Sequence, residues 1–415
     1  MEVTAVEVRS RIFLRRRIHF INDSVSHLLI FLALFKGAAC RTRWIVPSNE
    51  RVTVARDFPM HHLRTLTKSK IQKQENAKTT NQNIIIMTRL YNKIKKDLPK
   101  LDGKVFVITG TTSGTGFVAA RTVAELGGEV VLLNRPSSRA TDSLKKLQIA
   151  VPNGKFVPIE CDLQDFDSVR SAVKEIKSKY TKIYSLANNA GIMATPDEAT
   201  KDGFDTQMQT NHLSHFLLTA ELFPLLEAEA EANGDARIVN HSSLGREYTP
   251  NNGLEEKYFL KNGGNLGGDE QIMMGGGPYH RYFQTKLANS VFTYALDQRI
   301  KASGSKVRAI CAHPGGSNTD LGNHLNYGFF TNLILKLIMM LMVQSAEDGA
   351  TGLLTGMASP AAKSGTLYGP VRWNKKSGMA GHPKPNPPQP YETDQSAMDM
   401  LWRTSEEATG VKFEI

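Results

Sequence analysis

Six short runs rich in β-branched residues recur from Gly103 onward, and helical spacing fills the stretches between them. The strand candidates cover 104–109, 129–133, 155–160, 183–187, 237–241 and 307–312, and the helical segments include 115–126, 167–179, 212–230 and 279–300. Strands apolar along their whole length, each followed by a helix, suit a parallel sheet covered on both faces. The pattern predicts one doubly wound α/β domain. Residues 245–278 break the rhythm with the glycine-rich pieces 262–268 and 275–277, and read as one long surface insertion.

The chain of 415 residues has 40% hydrophobic and 22% charged residues, the make-up of a soluble globule. Its formal charge of +11 is uneven: residues 1–86 hold 15 Lys and Arg against 6 Asp and Glu. A nearly neutral body with a basic leader argues against nucleic acid as a partner. Within the leader, Arg9, Arg11, Arg15, Arg16 and Arg17 precede the apolar run from Leu28 to Phe35 and then Gly37, Ala38 and Ala39. That order resembles a signal peptide, and the run is too short to span a bilayer, which needs ~20 apolar residues. Residues 41–86 lack periodicity. The expectation is a targeting or disordered leader over 1–86 and the folded domain over 87–415. The address is cytoplasmic if translation starts at Met87, and otherwise an organelle or the secretory pathway. Cys40, Cys161 and Cys311 are too widely spaced for a metal site and odd in number, so no metal or disulfide framework is expected.

The first strand runs into Thr109-Gly110-Thr111-Thr112-Ser113-Gly114-Thr115-Gly116 and then a helix. Glycines at 110, 114 and 116 permit a tight turn and close backbone approach to a pyrophosphate at the positive helix end. The spacing is GxxxGxG rather than GxGxxG. The second strand ends in Asn134-Arg135, without the carboxylate that would bind a free ribose 2′-hydroxyl. Arg135 is therefore read as the partner of a 2′-phosphate, favouring NADP(H), against the alternative of a solvated loop arginine. Asp162, just past the third strand, is placed either to accept from an adenine amino group or to cap a helix.

Tyr282 and Lys286 stand four residues apart, on one face of a helix. A cation beside a phenol lowers its pKa from ~10 and lets it exchange protons nearer neutrality. Ser242 and Ser243 end the fifth strand, where a hydroxyl can hold a substrate oxygen. Asn211 lies near a helix start, and Asn188-Asn189-Ala190-Gly191 ends the fourth strand.

In this order, TGxxxGxG, NNAG, the Asn211 helix, the strand-end serine, YxxxK and His313-Pro314-Gly315 resemble the short-chain dehydrogenase/reductase family from about Gly103 to the end of the chain. The segments Asn211 to Phe216, Tyr282 to Asn289 and Leu401-Trp402 with Ser405-Glu406-Glu407 are most similar to its retinol dehydrogenase-like and protochlorophyllide reductase-like branch. The resemblance implies a Rossmann-type domain with a parallel sheet of about seven strands. It implies an NADP(H)-dependent oxidoreductase in which Tyr282 donates the proton, Lys286 lowers its pKa and binds ribose, Ser243 positions the carbonyl and Asn211 holds a relay water. Cofactor contacts would come from Gly110, Thr112, Ser113, Gly114, Thr115, Gly116, Arg135, Asp162, Leu163, Asn189, Ala190, Gly191, Tyr282, Lys286, Pro314, Gly315 and Thr319. Reduction of a tetrapyrrole double bond, or a catalytically silent dinucleotide-binding scaffold or redox sensor, are the competing readings. The 38 residues between Ser243 and Tyr282 exceed the family's usual spacing.

Residues 329–343 read FFTNLILKLIMMLMV. The resemblance places them in a substrate-lid region, where Met and Leu side chains that can repack suit a bulky apolar group on a small-molecule carbonyl or alcohol substrate. A buried packing helix and a peripheral membrane contact are the other readings.

Overall fold

The predicted strands form to within two residues at either end. The structure, a computed structural model, describes residues 89–268, 276–316, 344–371 and 377–415. Strands β1 (Val105–Thr109), β2 (Glu129–Asn134), β3 (Lys155–Glu160), β4 (Ser185–Asn188), β5 (Ala236–His241), β6 (Val307–Ala312), β7 (Thr366–Gly369) and β8 (Lys384–Asn386) build one sheet in the order β3-β2-β1-β4-β5-β6-β7-β8. Every pairing is parallel except β7 with β8. The chain reverses its direction of travel across the sheet between β1 and β4, which opens a crevice at the strands' carboxyl ends where such sheets bind ligands.

Helices cover both faces. Helices α1 (Arg89–Asp97), α2 (Gly114–Glu125) and α7 (Thr351–Ala358) pack on one side, burying Tyr91, Val123 and Leu354 against Ile108 and Val239. On the other side α4 (Phe166–Lys179), α5 (Ser214–Asn233), α6 (Gly277–Ser303) and α8 (Gln395–Thr409) bury Val173, Leu217, Leu287 and Trp402 against Val107 and Ile238. Helix α3 (Ser138–Ala150) follows β2 and is capped by Ser137.

Two details refine the expected fold. The sheet has eight strands rather than about seven, because Lys384-Pro385-Asn386 adds antiparallel to β7 at the edge, where a proline needs no ladder partner. The stretch before α6 is not simply a surface loop: it makes short 3₁₀ turns and sends Tyr258 and Phe259 into the core. Phe259 meets His212 edge-on at 5.6 Å between ring centroids. Thr319, the run 329–343 and the leader 1–86 lie outside the described residues. Among the described residues, no helix is long and apolar enough to cross a membrane.

Candidate active site

Beside the sheet's crevice, the glycine loop is knitted to the end of β4. Thr109 Oγ1 accepts from the backbone N–H groups of Asn189 (2.9 Å) and Ala190 (3.0 Å), while Asn189 Nδ2 donates back to the Thr109 carbonyl (2.9 Å). Asn189 Oδ1 accepts from Thr115 Oγ1 (2.9 Å) and faces His241 Nδ1 at 2.8 Å. The side chains of Thr115 and Asn189 therefore hold the loop's shape. The glycines are required here: a Cβ on Gly116 would stand 2.2 Å from the Gly110 carbonyl oxygen, and one on Gly110 would stand 2.8 Å from Ala190.

This leaves a helix end suited to a phosphate. Ser113 is extended and makes no side-chain cap on α2, and no acidic residue occupies the first turn. The residues fit a dinucleotide pyrophosphate on those grounds. Asn134 braces the loop from β2, accepting from Thr111 N (2.8 Å) and donating to Thr111 Oγ1 (2.7 Å). Arg135 next to it is exposed. Arg139, which the sequence reading missed, donates to Ser113 Oγ at 3.3 Å. Asp162 Oδ1 closes its own turn by accepting from Gln164 N (3.0 Å), and the cap of α4 is Asp165. Leu163 is buried. Pro314 and Gly315 follow β6, with Gly316 N donating to the Met379 carbonyl at 2.7 Å.

The predicted proton-transfer residues converge. Asn211 sits in a π-helical turn, Gln209–Leu213, ahead of α5, a distortion frequent at functional sites. Its amide is committed: Oδ1 accepts from Ile192 N (2.8 Å), and Nδ2 donates to Ile192 O and to Thr285 Oγ1 (each 2.9 Å). A Cβ on Gly191 would lie 3.2 Å from both Asn211 Oδ1 and Lys286 Nζ, so these three residues meet at one point. Ser242 Oγ donates to the Lys286 carbonyl (2.7 Å), whereas the Ser243 hydroxyl lies near enough to the Tyr282 phenol to lower its pKa. Of the two serines, only Ser243 faces the phenol.

Electrostatics correct the expected effect of lysine on tyrosine. Tyr282 is buried, and desolvation pushes its phenol up to about 12, with the Ser243 hydrogen bond pulling the other way. Lys286 Nζ stands 5.7 Å from the tyrosine ring centroid and donates to the His241 carbonyl at 3.0 Å. Burial draws its ammonium down to about 8. Spacing put the charge beside the ring but said nothing of lost water, and here burial outweighs proximity. His241 and His215 are also held neutral by burial, near about 3 and about 4. Among the described residues, no cluster of His, Cys, Asp and Glu could hold a metal.

The short chain dehydrogenase family model matches residues 104–253. Polyprenol dehydrogenase of Homo sapiens is 30% identical over 75% of this chain and 87% of its own length. The chain belongs to the short-chain dehydrogenase/reductase family. Retinol dehydrogenase 12 of Bos taurus is 29% identical over 76% of this chain and 89% of its own. The crystal structure of an uncharacterized protein from Mycobacterium paratuberculosis, 29% identical, superposes with a TM-score of 0.58 over 77% of this chain and 98% of that one. This dehydrogenase/reductase is thus an oxidoreductase of the retinol dehydrogenase-like branch, in a family that binds a nicotinamide dinucleotide and acts on a small substrate.

Proposed function

We propose that this oxidoreductase uses NADP(H) to interconvert a carbonyl and an alcohol on an apolar substrate, with Tyr282 moving the proton. The observation that carries the reading is the convergence on buried Tyr282 of the turn that begins at Ser243, where a Cβ on Gly245 would stand 3.3 Å from the Tyr282 ring, and of the buried Lys286 ammonium 5.7 Å from its centroid. Bound in the crevice, the nicotinamide would supply or accept the hydride. Ser243 and Tyr282 then hold the substrate oxygen between two hydroxyls, and Tyr282 gives that oxygen its proton in reduction or takes it in oxidation. Lys286 binds ribose and replenishes charge near the phenol, and Asn211 fixes the 191–192 backbone that borders the lysine.

Three features support the finer choices. The end of β2 offers an exposed Arg135 and no carboxylate, and Arg139 donates to Ser113 of the glycine loop, which supports a cofactor with a ribose 2′-phosphate. An aromatic wall of Tyr248, Tyr279 and Phe283 adjoins Tyr282, with Phe283 6.0 Å from Tyr248 and 6.1 Å from Tyr279 between centroids. The related polyprenol and retinol dehydrogenases are named for long apolar alcohols. Purified protein is to be assayed with NADPH and with NADH against retinoid, steroid, quinone and aliphatic carbonyls. Faster turnover of apolar carbonyls with NADPH is expected; a preference for NADH, or for polar carbonyls, refutes the corresponding part.

A further inference from the structure

A buried ion-pair network stands directly behind Ser243. Arg246 is only 1% exposed, yet all three of its guanidinium nitrogens are engaged. Nε donates to Glu392 Oε1 (2.8 Å), one terminal nitrogen donates to Ser377 Oγ (2.7 Å) and Glu247 Oε1 (3.1 Å), and the other donates to the Ser243 carbonyl (3.2 Å). Glu392 is itself fully buried, and its second oxygen accepts from Gln389 N at 2.7 Å. Ser377 passes the network on, donating from its hydroxyl to Asn386 Oδ1 of β8 (3.1 Å).

The segment carrying these partners touches the site twice. Through Arg246 it grips the turn that begins at Ser243, and through Met379 it packs on Gly315, where a Cβ would stand 2.3 Å from the Met379 carbonyl oxygen. Locally, Ser243 Oγ accepts from Gly245 N at 3.2 Å, at the start of the 3₁₀ turn Leu244–Tyr248. That turn contains Arg246. Its orientation against the sheet is thus fixed by a planar fork whose partners lie up to 146 residues away. A planar guanidinium transmits geometry in a way that a single ammonium cannot.

We propose that Arg246, aimed by Glu392, is a positioning residue that sets where Ser243 presents its hydroxyl to Tyr282 and to the substrate oxygen. The inference rests on the roles given above to Ser243 and Tyr282. Lysine at 246 keeps the charge for Glu392 but cannot reach Glu392, Ser377 and the Ser243 carbonyl together.

The test is a double-mutant cycle in the full chain: wild type, Ser243→Ala, Arg246→Lys and the double variant, assayed with NADPH and whichever carbonyl of the panel is reduced fastest. Arg246→Lys is expected to lower kcat by about 10- to 100-fold. In the Ser243→Ala background it is expected to lower it hardly at all, because a residue acting through Ser243 has nothing left to position. The kcat-pH profile for oxidation of the matching alcohol provides a second readout. Its limb should move to higher pH in Arg246→Lys, since the Ser243 bond that lowers the Tyr282 pKa is loosened, whereas a folding defect scales turnover equally at every pH. Losses that add across the cycle, or an unmoved profile, overturn the positioning role. Wild-type turnover in Ser243→Ala instead overturns the catalytic reading of Ser243 itself. If Arg246→Lys fails to fold, Glu392→Gln carries the same cycle, with the same outcomes deciding.

Discussion

Lys286 Nζ donates to the carbonyl oxygen of His241 at 3.0 Å, tying the ammonium on α6 to the last residue of β5. Asn289 Nδ2 donates to the same carbonyl at 3.1 Å. The charge is thereby held at a fixed place beneath Tyr282, and it is held dry. Both facts have consequences for pH.

Burial lowers the Lys286 ammonium to about 8, so above that pH the folded protein releases a proton that the unfolded chain, with its lysine near ~10.4, still holds. Wherever the unfolded state binds more protons, stability rises with pH. Relative to Lys286→Met, wild type should therefore gain stability between pH 8 and pH 10, by at most ~1.4 kcal/mol per pH unit. Denaturant unfolding of both proteins at pH 7, 8, 9 and 10 measures the gap, and a constant gap would show that the lysine is solvated.

Tyr282→Phe keeps the ring in place but removes the phenolic proton that the Ser243 hydroxyl faces. Turnover should fall by roughly 10²- to 10⁴-fold while NADPH binding, read by fluorescence, changes little. Near-normal turnover would remove Tyr282 from the proton path.

Coenzyme choice should move with charge at the end of β2. Arg135→Asp removes one proposed 2′-phosphate partner and adds repulsion, so preference should shift toward NADH by about 1–3 kcal/mol, and Arg139→Asp should shift it in the same direction. Ratios of kcat/KM for the two coenzymes report the change; an unaltered ratio in both variants would show that neither arginine meets the phosphate.

The glycine loop tolerates no side chain at 116, because a Cβ there would also lie 2.4 Å from Asn189 Nδ2. Gly116→Ala should cost several-fold or more in NADPH affinity and lower Tm, as the Thr109–Asn189 pairing is pushed apart. Isothermal titration and a melting curve check both effects, and wild-type affinity would show that the loop can shift at no cost.

Much of this was legible locally. The i,i+4 spacing of Tyr282 and Lys286 on α6, the strand-end position of Ser243 and the glycine turn are all written within a few consecutive residues. What escaped depends on distant partners or on solvation. Lys384-Pro385-Asn386 carries no apolar period, so β8 forms only because β7 offers an edge. Arg246 lies in a glycine-rich stretch that looks solvated until Glu392 and Ser377 are folded onto it. Arg139 becomes interesting only when α3 brings it to Ser113. The Tyr282 phenol illustrates the same limit, since adjacency to a cation can be counted along the chain and loss of water cannot.

The last prediction is that residues 87–415 suffice for folding and turnover. Helix α1 belongs to the domain: Tyr91 N donates to Asp348 Oδ1 at 2.9 Å, Tyr91 OH bonds Thr122 Oγ1 at 2.7 Å, and Leu98 and Leu101 are buried. A protein starting at Met87 keeps all of these contacts, while one starting at Gly103 loses them and leaves Asp348 and Thr122 without their Tyr91 partners. Leaving such buried polar groups unmatched costs about 1–3 kcal/mol each, before the lost apolar contacts of Leu98 and Leu101 are added. The expected order is therefore equal Tm and NADPH-dependent turnover for the full chain and for 87–415, and a markedly lower Tm for 103–415. A lower Tm for 87–415 than for the full chain would show that residues 1–86 pack on the domain. Equal Tm for all three would show that α1 contributes nothing to stability.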